Sequence, residues 1–357
     1  MTSSIRGPRG PIHGRGAADN PPNRFETLVY ADDLDAIDRD DEAAPQTEYL
    51  RDSSRTILAH NESPDVGFDT SINPYRGCSH GCVYCFARPT HEYLGFSAGL
   101  DFETKILVKE DAPELLRAEL SKKSWEPRTI AVSGVTDAYQ PIERKLRITR
   151  RCIEVLAEFR NPTTIVTKNH LVARDADLLA DLARDRAAAV FVSITSLDGA
   201  LQRKMEPRAS PPERRLEALR ALSAAGVPVG VLVAPVILGL TDHEMPAILA
   251  AAAKAGATTA GYVPLRLPYA VKEIFERWLD DHFPDRKEKV LGRIRSIRGG
   301  RLNDPNFGSR LHGEGIFAEE LRALFRIASR RAGIGERKIE LSTDAFRRPG
   351  GNQLALF

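Results

Sequence analysis

The stretch RGCSHGCVYCFAR, residues 76–88, places three of the chain's four cysteines within eight positions. Cys78, Cys82 and Cys85 have the spacing C-x3-C-x2-C, tight enough for one loop to wrap a single metal centre. A structural zinc site takes four protein ligands, usually as two separated pairs. No second CxxC follows, and Cys152 lies in ITRRCIEVLAEF, where its spacing puts it on the apolar face of a helix, as a core residue. Zinc would need His80 or His91 as its fourth ligand. Three thiolates on a four-iron cubane instead leave one iron without a protein ligand, open to a small molecule.

Around this loop the chain alternates β-branched runs with amphipathic stretches. KILVK (105–109), TIAVSG (129–134), TTIVTK (163–168), AVFVSI (189–194), PVGVLVAPV (228–236) and TTAGYVPL (258–265) read as strands. Segments such as DADLLADLARD and PPERRLEALRALSAAG between them repeat apolar residues at helical spacing, with Gly226 and Gly256 at helix C-caps. Strand–helix repetition implies parallel strands with helical crossovers, and the nearly all-apolar runs suit strands buried on both faces. The expected fold class is α/β, a partial (β/α)6 TIM-like barrel, with a doubly wound sheet as the alternative. In a barrel the chemistry sits at the C-terminal strand ends. Four regions follow: an N-terminal extension, largely disordered, over 1–66; a core over 67–283; a helical basic region over 284–349; and a flexible tail over 350–357. DDLDAIDRDDE (32–42) reads as solvated, whereas HGRGAADNPPNRFE (13–26) is a candidate to fold back over a site.

C-x3-C-x2-C with an aromatic residue, Tyr84, before the last cysteine resembles the cluster loop of radical S-adenosylmethionine (radical SAM) enzymes. SINPYRGCSHGCVYCFARPTHEYLG, VSGVTDAYQPIERKLRITR, TKNHLVARDADLL and VSITSLDGALQRKMEPRASPPERRL are most similar to the spore photoproduct lyase-like branch and its uncharacterised bacterial relatives. The resemblance implies a [4Fe–4S] cluster on Cys78, Cys82 and Cys85, with S-adenosylmethionine on the open iron. Reductive cleavage of the sulfonium would then yield a 5′-deoxyadenosyl radical that abstracts hydrogen. It also implies a flavodoxin or ferredoxin as electron donor. By the same resemblance Tyr84 lies near the adenine, and Ser133, Lys168 and Ser193 near the methionyl or ribose groups. Lys168 would grip the carboxylate, as a cation at a strand end is suited to do. Asp137 ends a strand beside Ser133 and faces the barrel mouth. Glu206 and Arg208 either hold ribose or substrate, or pair with each other on the surface. Arg76 and Arg88 flank the loop and either tune its potential or are solvated.

The chain departs from the lyase pattern at two places. The lyase's hydrogen-donating cysteine corresponds to Val132, and the tyrosine after its third cluster cysteine corresponds to Phe86. Tyr139 and Tyr262 are candidate replacements for the relay, with packed tyrosines as the plainer reading. The substrate half of the site is thus expected to differ.

The chain has 357 residues and a net charge of +2, too little for a global pull toward nucleic acid or membrane. Residues 285–350 are an exception, with sixteen Lys or Arg against nine Asp or Glu. The longest apolar run, GVPVGVLVAPVILGL, is too short to span a bilayer. Without a visible signal peptide, a cytoplasmic location and no membrane partner are expected. The final residues Gln353, Leu354, Ala355, Leu356 and Phe357 resemble the peptide by which replication and repair proteins dock on the DNA polymerase sliding clamp. Clamp docking or self-docking would each cover these apolar anchors. The expected function is radical SAM hydrogen abstraction, on DNA or a nucleic acid base, with tethering to the clamp. The alternatives are a protein or small-molecule substrate, or a non-enzymatic clamp-associated metal-binding protein.

Overall fold

Residues 10–26, 45–335 and 339–349 are described by the computed structural model. The first strands are β1 (Glu48–Arg51), β2 (Leu58–His60), β3 (Thr70–Ile72) and β4 (Tyr75–Arg76). After the cysteine loop and a short 3-10 helix over Arg88–Leu94 come α1 (Leu100–Thr104), β5 (Lys105–Val108) and α2 (Ala112–Ser121). The alternating core runs β6 (Ile130–Val132), α3 (Glu143–Leu146), α4 (Ile148–Phe159), β7 (Thr163–Thr167), α5 (Ala176–Arg184), β8 (Ala188–Ser193), α6 (Gly199–Met205) and α7 (Pro212–Ala224). It continues through β9 (Val229–Val236), α8 (Met245–Lys254) and β10 (Thr259–Pro264), and α9 (Val271–His282), α10 (Pro284–Ser296) and α11 (Ile316–Ala332) follow.

One sheet has the order β10-β9-β8-β7-β6-β3-β2. Neighbours from β3 to β10 pair parallel, and β2 closes one edge antiparallel to β3. Six parallel strands in sequential order, with β10 and β2 not paired to each other, make the partial (β/α)6 barrel that the alternation predicts. The strand set differs from expectation in one member. KILVK forms β5, which belongs to a separate three-stranded sheet of order β1-β5-β4. The sixth barrel strand is β3, TSI, directly before the cysteine loop. Two hydroxyl side chains in three residues hide it from a search for apolar runs, although all three positions are buried.

Helices α4, α5, α7 and α8 lay their apolar faces on this sheet. α4 buries Ile148, Cys152, Ile153, Leu156 and Phe159, residues three and four apart, so Cys152 is a core residue as its spacing predicts. Each fully buried aliphatic side chain of this kind contributes roughly 1.5–3 kcal/mol. Gly226 and Gly256 lie just past α7 and α8 with φ of 84° and 99°, in the left-handed region that favours glycine.

Two terminal expectations change. Within the extension, residues 10–26 and 45–66 hold defined places, because polar groups anchor them to the cysteine-loop region. The Gly16 and Ala17 amides donate to the Glu103 carboxylate at 3.0 and 2.8 Å. Asn23 Nδ2 donates to the carbonyls of Glu92 and Phe96, each at 2.9 Å. At the other end the helical character stops at Ala332, and residues 339–349 are irregular chain with a turn at Asp344–Ala345, laid on the barrel. There Phe346 meets Phe159 with ring centroids 6.3 Å apart, and the Arg347 amide donates to the Phe159 carbonyl at 2.9 Å. Residues 32–42 and the tail over 350–357 lie outside the described residues.

Candidate active site

The cysteine loop leaves β4 and is pinned by backbone and buried polar contacts. Cys78 N–H donates to Phe102 O at 2.9 Å, and Val83 N–H to Met205 O at 3.0 Å. Gln140 spans the loop's start, accepting from Ser79 N–H at 3.0 Å and donating to Gly77 O at 3.2 Å. Arg88 is fully buried rather than solvated. Its guanidinium donates to Cys82 O at 3.0 Å, to Ala98 O and Gly99 O, and pairs with Glu103 at 2.5 Å. Arg76 faces outward and pairs with Asp52 at 3.0 Å.

Cys78 and Cys82 are buried and Cys85 is partly buried. Burial, with the neighbouring Cys78 thiol, pushes Cys85 up to about 11. Burial and the Glu206 carboxylate push Cys82 well above its usual value. Bound iron would reverse this, because a coordinating thiol is deprotonated outright. Among the described residues no three His, Cys, Asp or Glu side chains gather as ligands of a single ion. His91 sits in an apolar cage, 5.2 Å from the Phe96 ring and 5.6 Å from the Phe102 ring, with both ring nitrogens unpartnered. His80 is committed to Asp137, 3.4 Å away, and Asn169, 3.0 Å away. Three soft thiols on one loop without a fourth protein ligand fit a [4Fe–4S] cluster with one open iron.

The strand ends beside the loop carry a buried polar network. Lys168 follows β7, and its ammonium donates to Ser193 Oγ at 2.6 Å and Ala234 O at 2.9 Å. It lies 3.9 Å from Glu206 Oε1 and 5.9 Å from the Tyr84 ring centroid. Glu206 is fully buried and accepts from Tyr84 Oη, from Thr195 Oγ1 at 2.9 Å and from the Arg215 guanidinium. Arg215 also donates to Ser193 O at 2.9 Å and Ser210 O at 2.7 Å. Burial alone would raise the Glu206 carboxyl, but the Arg215 and Lys168 cations outweigh it and hold it at about 2. The site therefore keeps one ionised carboxylate beside the Arg215 and Lys168 cations, and beyond its two hydrogen bonds the Lys168 ammonium faces Glu206 at 3.9 Å.

Asp137, expected at the mouth, is partly buried, its side chain 11% exposed, and is saturated by protein donors. It accepts from Thr167 Oγ1 at 2.8 Å, Lys168 N–H at 2.8 Å and Tyr139 N–H at 2.9 Å. Its role is to tie the end of β7 to the cysteine loop through His80. Asn169 Oδ1 accepts from Leu171 N–H and Ser210 Oγ, and its amide nitrogen lies 3.0 Å from His80 Nε2, while burial of His80 is outweighed by the Asp137 carboxylate and Cys78, which push it up to about 10. Nδ1 then carries a proton toward Asp137. Ser133 takes a left-handed φ of 77° at the end of β6, and its Oγ accepts from Ala138 N–H at 2.7 Å. A non-glycine residue in that region marks a turn held by its surroundings.

Other expected residues point elsewhere. Tyr139 is fully buried and donates to Asp175 at 3.1 Å, and Tyr262 packs on Phe325 of α11 with centroids 4.7 Å apart. Neither is brought to the cysteines. Arg208 is exposed and meets Thr47 at 3.3 Å, so it does not pair with Glu206. Sequence reasoning missed Arg215, Thr195, His80–Asn169 and Arg88–Glu103 as site builders. Their partners are far along the chain or unpatterned, and only the arginine-rich PPERR run hinted at Arg215. Gln353, Leu354, Leu356 and Phe357 lie outside the described residues.

The sequence profile of the Radical SAM superfamily matches residues 72–252. An uncharacterized protein of Mycobacterium tuberculosis is 40% identical over 255 residues, covering 70% of this chain and 74% of that protein. An uncharacterized protein of Methanocaldococcus jannaschii is 31% identical over 173 residues, covering 48% of this chain and 62% of that protein. Among solved structures, spore photoproduct lyase complexed with dinucleoside spore photoproduct superposes with a TM-score of 0.57 at 18% identity over 79% of each chain. A mutant of the same lyase gives a TM-score of 0.58 at 19% identity, again over 79% of each chain. That likeness is one of fold. The chain belongs to the radical SAM superfamily and is a radical SAM enzyme, and this family uses a [4Fe–4S] cluster and S-adenosylmethionine. Family membership removes the non-enzymatic alternative. Among the described residues no helix is long and apolar enough to cross a membrane.

Proposed function

We propose that the enzyme abstracts hydrogen from a nucleic acid base or sugar, with Lys168 as the group that holds the carboxylate of S-adenosylmethionine. The observation that carries the cofactor part is the Lys168 ammonium, fixed by Ser193 and Ala234 beside Tyr84 of the cysteine loop. When bound, the cluster and S-adenosylmethionine supply a hydrogen-abstracting radical. The protein's tasks are binding and exclusion of water. Glu206 fixes the Tyr84 ring through its hydroxyl, Arg215 keeps Glu206 ionised, and Ser133 shapes the loop at the methionyl end.

Two features favour a nucleic acid substrate. Residues 285–350 carry the net positive charge noted above. A cavity of about 690 Å³ between α10, α11 and the loop after β9 is lined by Arg286, Lys289 and Arg293, none in an ion pair among the described residues, together with Asp242, His243 and Glu320. Such cations suit phosphate. Val132 and Phe86 support a reaction other than photoproduct repair, since neither side chain has an S–H or O–H hydrogen to relay. Electrons come from a flavodoxin or ferredoxin, and the segment Gln353–Phe357 tethers the enzyme to the sliding clamp, a reading tested by clamp pull-down with and without residues 353–357.

The experiment is anaerobic turnover with deuterated DNA, deuterated peptide or neither, following label in 5′-deoxyadenosine, with Cys82→Ala as control. Label from DNA and none from Cys82→Ala is expected. Label from peptide alone would overturn the substrate, and no 5′-deoxyadenosine from reconstituted enzyme would overturn the cofactor assignment.

A further inference from the structure

Among the described residues five large aromatic side chains are more than half exposed or at the half-way mark: Phe25 at 55%, Phe86 at 50%, Tyr93 at 72%, Tyr269 at 59% and Phe307 at 59%. Four of them belong to segments that meet at the cysteine loop, and each of these lies in a stack. Phe25 and Tyr93 stack with centroids 4.9 Å apart. The Arg24 guanidinium sits 5.0 Å from the Phe25 ring and 3.6 Å from the Tyr269 ring. Tyr269 and Arg266 follow the C-terminal end of β10, the chemical end of a parallel barrel. Arg266 lies 5.1 Å over Phe86, the residue directly after Cys85.

Exposed aromatics cost free energy in water and usually mark an interaction surface. Here they alternate with guanidinium groups, and Arg266 makes no hydrogen bond or ion pair among the described residues. Single-stranded nucleic acid is bound by this combination: aromatic faces take successive bases, and arginines add cation–π contacts and phosphate pairing. A duplex hides its base faces, so the platform discriminates by strandedness. Arg24 is already fixed by Glu92 at 2.6 Å, so Tyr269 is ordered before any ligand arrives, which lowers the ordering cost of binding.

We propose that Tyr93, Phe25, Arg24, Tyr269, Arg266 and Phe86 form a stacking rim that receives unpaired bases of a nucleic acid strand and presents one to the site beyond Phe86. This rests on the nucleic acid reading above and deepens it. The rim gives Phe86 a task that its lack of a hydroxyl does not impair.

The test is anaerobic fluorescence anisotropy of the full chain with a labelled single-stranded 12-mer and with its duplex. The single strand is expected to bind at least tenfold tighter. Tyr269→Ala and Phe86→Leu are each expected to weaken it by about fivefold to a hundredfold, the range that loss of one stacked base gives. Phe86→Leu keeps an apolar side chain but removes the π-face, and unchanged circular dichroism checks that each variant folds. Equal affinity for duplex and single strand, or wild-type affinity in both variants, overturns the rim. Rim variants that instead abolish a dimer in light scattering also overturn it, in favour of a self-association surface. Label transfer from DNA with unaffected binding in the variants would sink the rim alone. Rim-dependent binding without label transfer would sink the reaction and leave the rim standing.

Discussion

At the scale of single residues, Glu206 concentrates the site's electrostatics. Its carboxyl, held at about 2, contributes stability that is fully present above its unfolded value near 4.5 and is lost as pH falls toward 2. The contribution is on the order of 3 kcal/mol for a buried group with this shift. Urea titrations from pH 6 to pH 2.5 should show wild type losing stability more steeply than Glu206→Gln. At pH 7 the same substitution strands the Arg215 cation and should cost about 3–5 kcal/mol. Lys168→Ala should behave differently. It should weaken S-adenosylmethionine binding at least tenfold by calorimetry while the iron–sulfur absorbance of the reconstituted protein stays unchanged. The three cysteines and Lys168 could be singled out because spacing or a strand end marks them in the sequence. Glu206 was seen, but its partner was misread. Arg208 is the nearer arginine in sequence, while the turn into α7 brings Arg215 back to it and sends Arg208 outward.

At the scale of elements, the cysteine loop is held from three sides: by Gln140 from the β6–α3 connection, by Arg88–Glu103 beneath, and by residues 15–17 above. A Cβ placed on Gly16 would collide with the Gly81 carbonyl oxygen. Gly16→Val should therefore lift the N-terminal segment off the loop without touching a cysteine. The reconstituted cluster should then bleach faster in air, followed by absorbance, and trypsin should cut near Arg24 sooner. Equal bleaching rates would show that the segment does not shield the cluster. The strand count was legible and its membership was not. An apolar run such as KILVK forms a strand in either sheet, whereas β3 is defined by its partners β2 and β6 rather than by its own composition.

For the whole molecule, the main apolar core lies between the six-stranded parallel array and its outer helices and contains none of Cys78, Cys82 and Cys85; Cys82 sits in a smaller second core with Tyr84, Leu265, Phe275 and Trp278, and Cys78 packs with Ala87 and Phe102. Folding should thus not depend on iron. A protein with all three changed to Ser should keep its far-ultraviolet dichroism and a cooperative thermal transition, and a molten profile would contradict this separation of core and cluster. The alternation of strands and helices made the barrel legible from sequence. Residues 13–26 were marked in the sequence as a candidate to fold back, but their anchor was not legible, because it rests on Glu103 and Arg15, which lie 88 residues apart and carry no pattern linking them.

That anchored segment bears on the order of events in biogenesis. It crosses the loop at Gly81, between the first two ligands. Shielding of the cluster in the Gly16→Val test would mean that iron and sulfide reach the thiols before the strap is seated, or wait for it to lift, so that maturation becomes a race between cofactor insertion and seating of the strap.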